Sequence, residues 1–248
     1  QDYFAFCVDA TSGKILLEKH LFHCDTPEPL GNAVNCYASP SPAVDEERAY
    51  VHFGSYGTAC LRAKTGETLW TREDLQCRHY RGPGSSVMLY RDLLILTMDG
   101  VDVQYVIALD KRTGKTVWKS DRAIKWNDLD EKGLPKREGD FRKAFATPLV
   151  IPSNGKDLLI SPASSTLFAY EPDTGREVWR VTNKAYSPSV SPVFSGGLVL
   201  AVTGRGPAEM LGVRPDGTND VTDSHVAWRV GGKDAPQTPS PVVLNGLL

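Results

Sequence analysis

Ala108-Leu109-Asp110-Lys111-Arg112-Thr113-Gly114-Lys115-Thr116-Val117-Trp118 is an apolar run, a polar turn closed by Thr-Gly, and a second apolar run ending in tryptophan. The same phrase returns twice. Cys60-Leu61-Arg62-Ala63-Lys64-Thr65-Gly66-Glu67-Thr68-Leu69-Trp70 is one copy, and Ala169-Tyr170-Glu171-Pro172-Asp173-Thr174-Gly175-Arg176-Glu177-Val178-Trp179 is the other. A weaker copy, Cys7 to Leu17 around Gly13, carries leucine at the tryptophan position. A stretched copy leads from Val213-Arg214-Pro215-Asp216-Gly217 to Trp228. The turn glycines Gly13, Gly66, Gly114 and Gly175 lie 53, 48 and 61 residues apart. Each copy reads as a short hairpin whose glycine supplies the positive φ the turn needs. Tryptophan offers a large apolar surface and one N–H that requires a partner. At a fixed offset in the three clean copies, it is expected to pack one repeat against the next.

A second element precedes each hairpin: Ser41-Pro42-Ala43-Val44, Ser86-Val87-Met88-Leu89, Thr147-Pro148-Leu149-Val150, Ser191-Pro192-Val193-Phe194 and Ser240-Pro241-Val242-Val243. Proline near the first residue of a strand costs no ladder bond. Further apolar runs follow at Arg48 to Phe53, Leu93 to Met98, Asp157 to Ser161 and Leu198 to Thr203. Each unit therefore has four strands, A to D. Four strands per 40–50-residue period is the mark of a β-propeller. The expected fold is all-β, a propeller of four-stranded antiparallel blades spanning residues 1–248 as one domain.

The Ala-x-Asp-x-x-Thr-Gly-x-x-x-Trp pattern resembles the tryptophan-docking motif of the PQQ-like (pyrroloquinoline quinone) repeat propellers. That superfamily includes quinoprotein alcohol dehydrogenases and BamB-like outer-membrane assembly proteins. His52-Phe53-Gly54-Ser55-Tyr56-Gly57-Thr58 and Arg81-Gly82-Pro83-Gly84-Ser85-Ser86 are similar to phrases in exported bacterial PQQ-binding-like propellers. The repeat carries fold rather than activity. On this resemblance Gly13, Gly66, Trp70, Gly114, Trp118, Gly175, Trp179 and Trp228 are docking residues. Residues 3 to 19 supply strands C and D of one blade, and 240 to 248 supply strand A and the start of B of another. The expected whole is about five blades' worth of a seven- or eight-bladed ring, with a closed five-bladed ring as the other reading.

Composition narrows the function classes. A formal net charge of -2 offers no basic footprint for nucleic acid. No apolar run approaches the roughly 20 residues that span a bilayer, and no signal peptide is visible. The five cysteines have no metal-type spacing and no vicinal pair. Cys24 and Cys36 flank one loop and either bridge it or remain free thiols.

In such propellers the resemblance places ligand sites on the face of the D–A and B–C loops, near the axis. The corresponding residues are Asn35, Tyr37, Arg81, Lys143, Tyr186 and Gln237 from D–A loops. Tyr56, Asp99, Asp102, Ser164 and Arg205 come from B–C loops. The other reading of the same residues is solvated loop ends. Lys119 to Lys143 is a D–A connection far longer than usual, with six acids, eight bases and Trp126. Trp126 is expected to cap the mouth or meet a partner, unless the segment is a solvated excursion. Asp99 and Asp102 either converge on one hard cation or, the preferred reading, are exposed acids of a tight turn, and Asp128 to Gly133 lacks the helices of a calcium loop. No catalytic residue and no metal site emerge. His52 and His79 are expected to approach across neighbouring blades as structural histidines.

The expected function is a non-catalytic binding or scaffold propeller of the bacterial envelope, periplasmic or secreted, meeting another protein or a small ligand at its loop face. The alternative is a PQQ- or metal-dependent quinoprotein dehydrogenase, or its propeller, with PQQ and calcium as cofactors. Quinoproteins often stack the quinone on a Cys-Cys disulfide, which this sequence lacks.

Overall fold

Every Thr-Gly hairpin folds where the repeat puts it. The computed structural model describes residues 1–31 and 34–247. The first sheet pairs β1 (Asp2–Val8) with β2 (Ile15–His23). The second is β3 (Ala43–Val44), β4 (Arg48–His52), β5 (Thr58–Arg62) and β6 (Thr68–Arg72). The third is β7 (Met88–Tyr90), β8 (Leu93–Asp99), β9 (Gln104–Asp110) and β10 (Thr116–Asp121). The fourth is β11 (Leu149–Ser153), β12 (Lys156–Ala163), β13 (Thr166–Tyr170) and β14 (Glu177–Thr182). The fifth is β15 (Val193–Ser195), β16 (Leu198–Val202) and β17 (Glu209–Val213), joined by β19 (Val226–Gly231). These are the four-stranded antiparallel blades of a β-propeller.

Apolar layers lie between consecutive sheets. In β8, Leu94, Leu96 and Met98 pack toward Tyr50 and Cys60 of the preceding sheet. Leu93 and Ile95 pack toward Leu159 and Phe168 of the following one. Both faces are buried, which explains why strands B and C read as unbroken apolar runs rather than alternating ones.

The tryptophans fasten these layers at the outer ends. Trp70 lies on Gly114 and Trp118 on Gly175, so that a Cβ built on either glycine would fall 2.7 or 2.3 Å from the indole. Both glycines also have φ of +71°. They are needed twice over, for the turn and for the close approach. Trp70 Nε1 donates to Lys111 O at 3.1 Å and Trp118 Nε1 to Pro172 O at 3.0 Å. Leu17 lies on Gly66 in the same way, without the N–H. Trp179 donates to Pro215 O at 2.9 Å. Trp228 packs on Gly212 of its own sheet instead.

The stretched fifth copy departs from the expected plan. Its long turn carries β18 (Asn219–Asp220), which pairs in parallel with β14 as a fifth strand of the fourth sheet. Val221 N–H donates to Arg180 O, and Thr182 N–H to the Thr222 hydroxyl, which fixes the flap. A second departure concerns Ser240–Val243. It forms no strand; pairing there is confined to the Leu244–Leu247 bridge, because no ladder partner lies beside it among the described residues. Leu248 lies outside the described residues. Cys24 and Cys36 are free thiols, as are Cys7, Cys60 and Cys77.

Candidate functional site

The D–A loops are the variable part of each blade, and they converge at one end of the sheets. There they enclose a cavity of about 430 Å³, within the size range of small-molecule sites. Asn35 and Ser39 come from the loop before β3, and Arg81 and Gly84 from the loop before β7. Arg137, Asp140 and Phe145 belong to the long loop before β11. Tyr186 precedes β15, and Arg205 lies between β16 and β17. The wall thus holds three guanidinium groups and one carboxylate.

Four residues expected from sequence meet here: Asn35, Arg81, Tyr186 and Arg205. Asn35 has its amide engaged in bracing the wall, donating to Arg81 O at 2.8 Å and Pro83 O at 2.9 Å. Tyr186 and Arg205 exchange backbone hydrogen bonds, which fixes one B–C turn against one D–A loop. The Tyr186 ring meets Phe141 edge-on at 4.6 Å. Arg81 grips Asp140 with a two-pronged bond, Nε to Oδ1 at 2.5 Å and Nη2 to Oδ2 at 2.7 Å. Among the described residues, Arg137 and Arg205 form no ion pair. Arg137 instead lies 5.1 Å above the Phe141 ring.

The other expected site residues sit elsewhere. Tyr37 and Tyr56 join Tyr3 and Phe53 in the aromatic layer between the first two sheets. Their hydroxyls engage Glu28, Tyr37 donating to its carbonyl and Tyr56 accepting from its N–H. Ser164 is buried and donates to Phe141 O. Gln237 is exposed, beyond the cavity wall. Trp126 neither caps the mouth nor stands free. Its indole donates to Gln104 Oε1 at 3.2 Å and stacks under Arg142, which grips Asp128 through two bonds of 2.8 and 2.7 Å. The two ends of the long connection are thus folded onto the protein, while residues 129–138, Pro135 apart, are exposed as a solvated excursion would be.

Asp99 corrects the expectation most sharply. It is not an exposed turn acid. Its side chain and that of Arg122 are both fully buried, joined at 2.7 Å. Arg122 continues to Ser161 at 2.8 Å. Burial pushes the Asp99 carboxyl above its ordinary value, against the pull of Arg122 and Lys143. Asp102 is exposed, and its Oδ1 accepts from the N–H groups of Arg78 and Val103. The two carboxylates hold separate structural tasks and do not converge.

Lys143 is buried behind the cavity wall, 1% exposed. Its Nζ lies 3.1 Å from Asp99 O and 3.3 Å from His79 Nδ1. The Ser55 N–H points at His79 Nε2 at 2.9 Å, so that nitrogen is the acceptor and Nδ1 carries the ring proton. Nδ1 faces the Lys143 amine. Burial, the main cause, pulls the Lys143 amine below its usual range. Burial also pulls His79 well below its ordinary value, assisted by Lys143 and His52. Burial holds Cys77, 3.6 Å from His79, up at about 12, so it is a thiol and no nucleophile. The approach of His52 and His79 shows in that shared electrostatics.

The fold suggests a quinone held with a calcium or lanthanide ion, and the described residues do not fit that pair. No three His, Cys, Asp or Glu side chains converge among them. Asp99 is paired with Arg122 and Asp140 with Arg81. Asp140, Arg137 and Phe145 escaped sequence reading. The long loop stood out by length and charge, but nothing in a single sequence says which of its acids turns inward.

Over residues 5–103 and 102–246 the chain matches the family model described as outer membrane protein assembly factor BamB. It is 27% identical over 239 residues to the 1-butanol dehydrogenase (quinone) of Thauera butanivorans, covering 82% of this chain and 32% of that protein. It is 33% identical over 133 residues to the quinoprotein ethanol dehydrogenase of Pseudomonas aeruginosa, covering 48% and 19%. The chain thus spans about a third or less of these relatives. The quinohemoprotein alcohol dehydrogenase of Comamonas testosteroni superposes with a TM-score of 0.62 at 12% identity, covering 91% of this chain and 40% of that one. A europium-containing methanol dehydrogenase gives 0.54 at 15%, covering 86% and 45%. These superpositions show the propeller fold. No helix among the described residues is long and apolar enough to cross a membrane.

Proposed function

The chain belongs to the PQQ-like repeat family described as outer membrane protein assembly factor BamB, and from that premise we propose that it is a non-catalytic binding propeller of the bacterial envelope. Its D–A loop mouth receives an acidic segment of a partner protein. One observation carries this reading: the mouth cavity holds Arg81, Arg137 and Arg205 against the single carboxylate of Asp140. Guanidinium groups favour carboxylates because their planar forks match in geometry as well as charge. Phe145 and Tyr186 add aromatic surface to the wall, a combination typical of protein-binding anchors. The periplasm is the compartment that goes with this reading.

The test is binding of labelled hexaglutamate, with hexalysine as control, followed by fluorescence anisotropy at low ionic strength. Saturable binding of hexaglutamate alone, weakened about tenfold or more by Arg205→Glu, is expected. Equal binding of both peptides, or indifference to Arg205→Glu, would sink the reading.

A second reading, the propeller part of a quinoprotein dehydrogenase, is favoured by the names of the two curated relatives. It requires metal ligands that the described residues do not bring together. Saturable PQQ binding with calcium, together with dye reduction by an alcohol, would establish it over the first.

A further inference from the structure

Arg81 and Asp140 differ from the protein's other inward ion pairs in where they stand. Arg122 and Asp99 are both wholly enclosed, and nothing outside can reach either. Asp140 is almost enclosed, with 8% of its side chain exposed, while Arg81 keeps 29% and faces the cavity. Arg81 uses Nε and Nη2 on Asp140. Two further guanidinium groups share the cavity, and neither pairs with a carboxylate among the described residues.

The backbone that delivers Asp140 is also unusual. Arg137, Glu138 and Gly139 precede it with φ of 50°, 56° and 82°. Two of these are not glycine, and the left-handed region is unfavourable for them. Such a run persists only where its surroundings hold it. The Arg81 grip on Asp140 supplies part of that hold. Arg142 on Asp128 anchors the segment just beyond.

Resting on the reading that the mouth binds an acidic segment, we propose that Asp140 is an internal stand-in for the partner's carboxylate. It occupies the Arg81 fork until an incoming carboxylate displaces it. Arg137 and Arg205 make the first contact, since neither must break an existing ion pair. Transfer of Arg81 to the partner then frees residues 137–139 from their left-handed conformation. Binding and release of the long loop are one event, and the loop sets the affinity of the mouth.

The experiment uses labelled hexaglutamate and the chain in wild-type, Asp140→Asn, Arg205→Glu and Asp140→Asn/Arg81→Gln forms. Asp140→Asn is expected to bind about tenfold tighter than wild type. Adding Arg81→Gln should abolish that gain. If Asp140→Asn binds no tighter while Arg205→Glu binds more weakly, the stand-in is overturned and the binding mouth stands. If no form binds, both fall together. A readout that needs no variant is hydrogen exchange of residues 128–142 in the wild type. Peptide should accelerate exchange there, and unchanged or slower exchange overturns the displacement even if Asp140→Asn fails to fold.

Discussion

At the rim, Trp70 and Trp118 each rest on the Thr-Gly turn of the following sheet, with the N–H of each indole donating to a carbonyl of that turn. At the mouth, Arg81, Arg137 and Arg205 come from three loops that share neither length nor sequence. The rim solves one packing problem by repeating one answer. The mouth is assembled from departures, the largest being the long loop between β10 and β11. A propeller can keep its blades fastened while its loops diverge, because the docking residues and the cavity wall share no residue. Docking and the loop cavity occupy separate parts of the repeat.

That separation can be broken most forcefully at Trp179, which is fully buried and joined to Pro215. Trp179→Ala is expected to cost about 4 kcal/mol in urea unfolding, with no change in hexaglutamate affinity under conditions where the variant is folded. A lost affinity would show that rim and mouth are coupled.

The mouth end answers instead to pH. His52 is enclosed, its Nδ1 2.8 Å from the Thr58 hydroxyl, and burial holds it down at about 4. The unfolded chain has an ordinary histidine that takes up a proton below about 6.5. Between those values the unfolded state binds more protons, so stability falls as pH falls. Acidification from pH 7 to 5 should remove about 2 kcal/mol through His52 alone. His79, also pulled down by burial, acts with the same sign. Urea midpoints across that range check this, and a flat profile would contradict the neutral, buried histidines.

The smallest effect sharpens the rim itself. Gly13 has φ of +71°, and a Cβ there would meet nothing within 4 Å. Gly175 has the same φ but faces Trp118 at 2.3 Å. Gly13→Ala should cost about 1 kcal/mol, the conformational term alone. Gly175→Ala should exceed it, and the difference measures docking. Equal costs would mean that the turn, not the indole, requires glycine.

The rim was legible because a repeated phrase restates its own constraint: four copies place glycine and an apolar residue at one spacing, and only inter-blade packing satisfies them all. The mouth was legible in part. Asn35, Arg81, Tyr186 and Arg205 follow from strand order, since the loops that carry them must gather at one end. Tyr37, Tyr56, Asp99 and Lys143 occupy equivalent loops and turn into the protein. Loop position gives the end of the blade but not the direction of a side chain, which depends on partners such as Arg122 and His79 from distant segments. The β18 flap was invisible for a related reason: a two-residue parallel pairing has no periodicity to detect.

That flap has a consequence for contact between molecules. Strand D is the outermost strand of each sheet, and its free side presents unpaired amides and carbonyls to which a foreign strand can add. On β14 that side is occupied, Trp179 facing Asn219 and Arg180 facing Asp220. The fourth sheet is thereby closed to edge-to-edge association by a piece of its neighbour. On β6 and β10 no flap intervenes among the described residues, and the outer strands instead carry Arg72 and Lys119, charges that discourage a flat apolar strand from settling alongside.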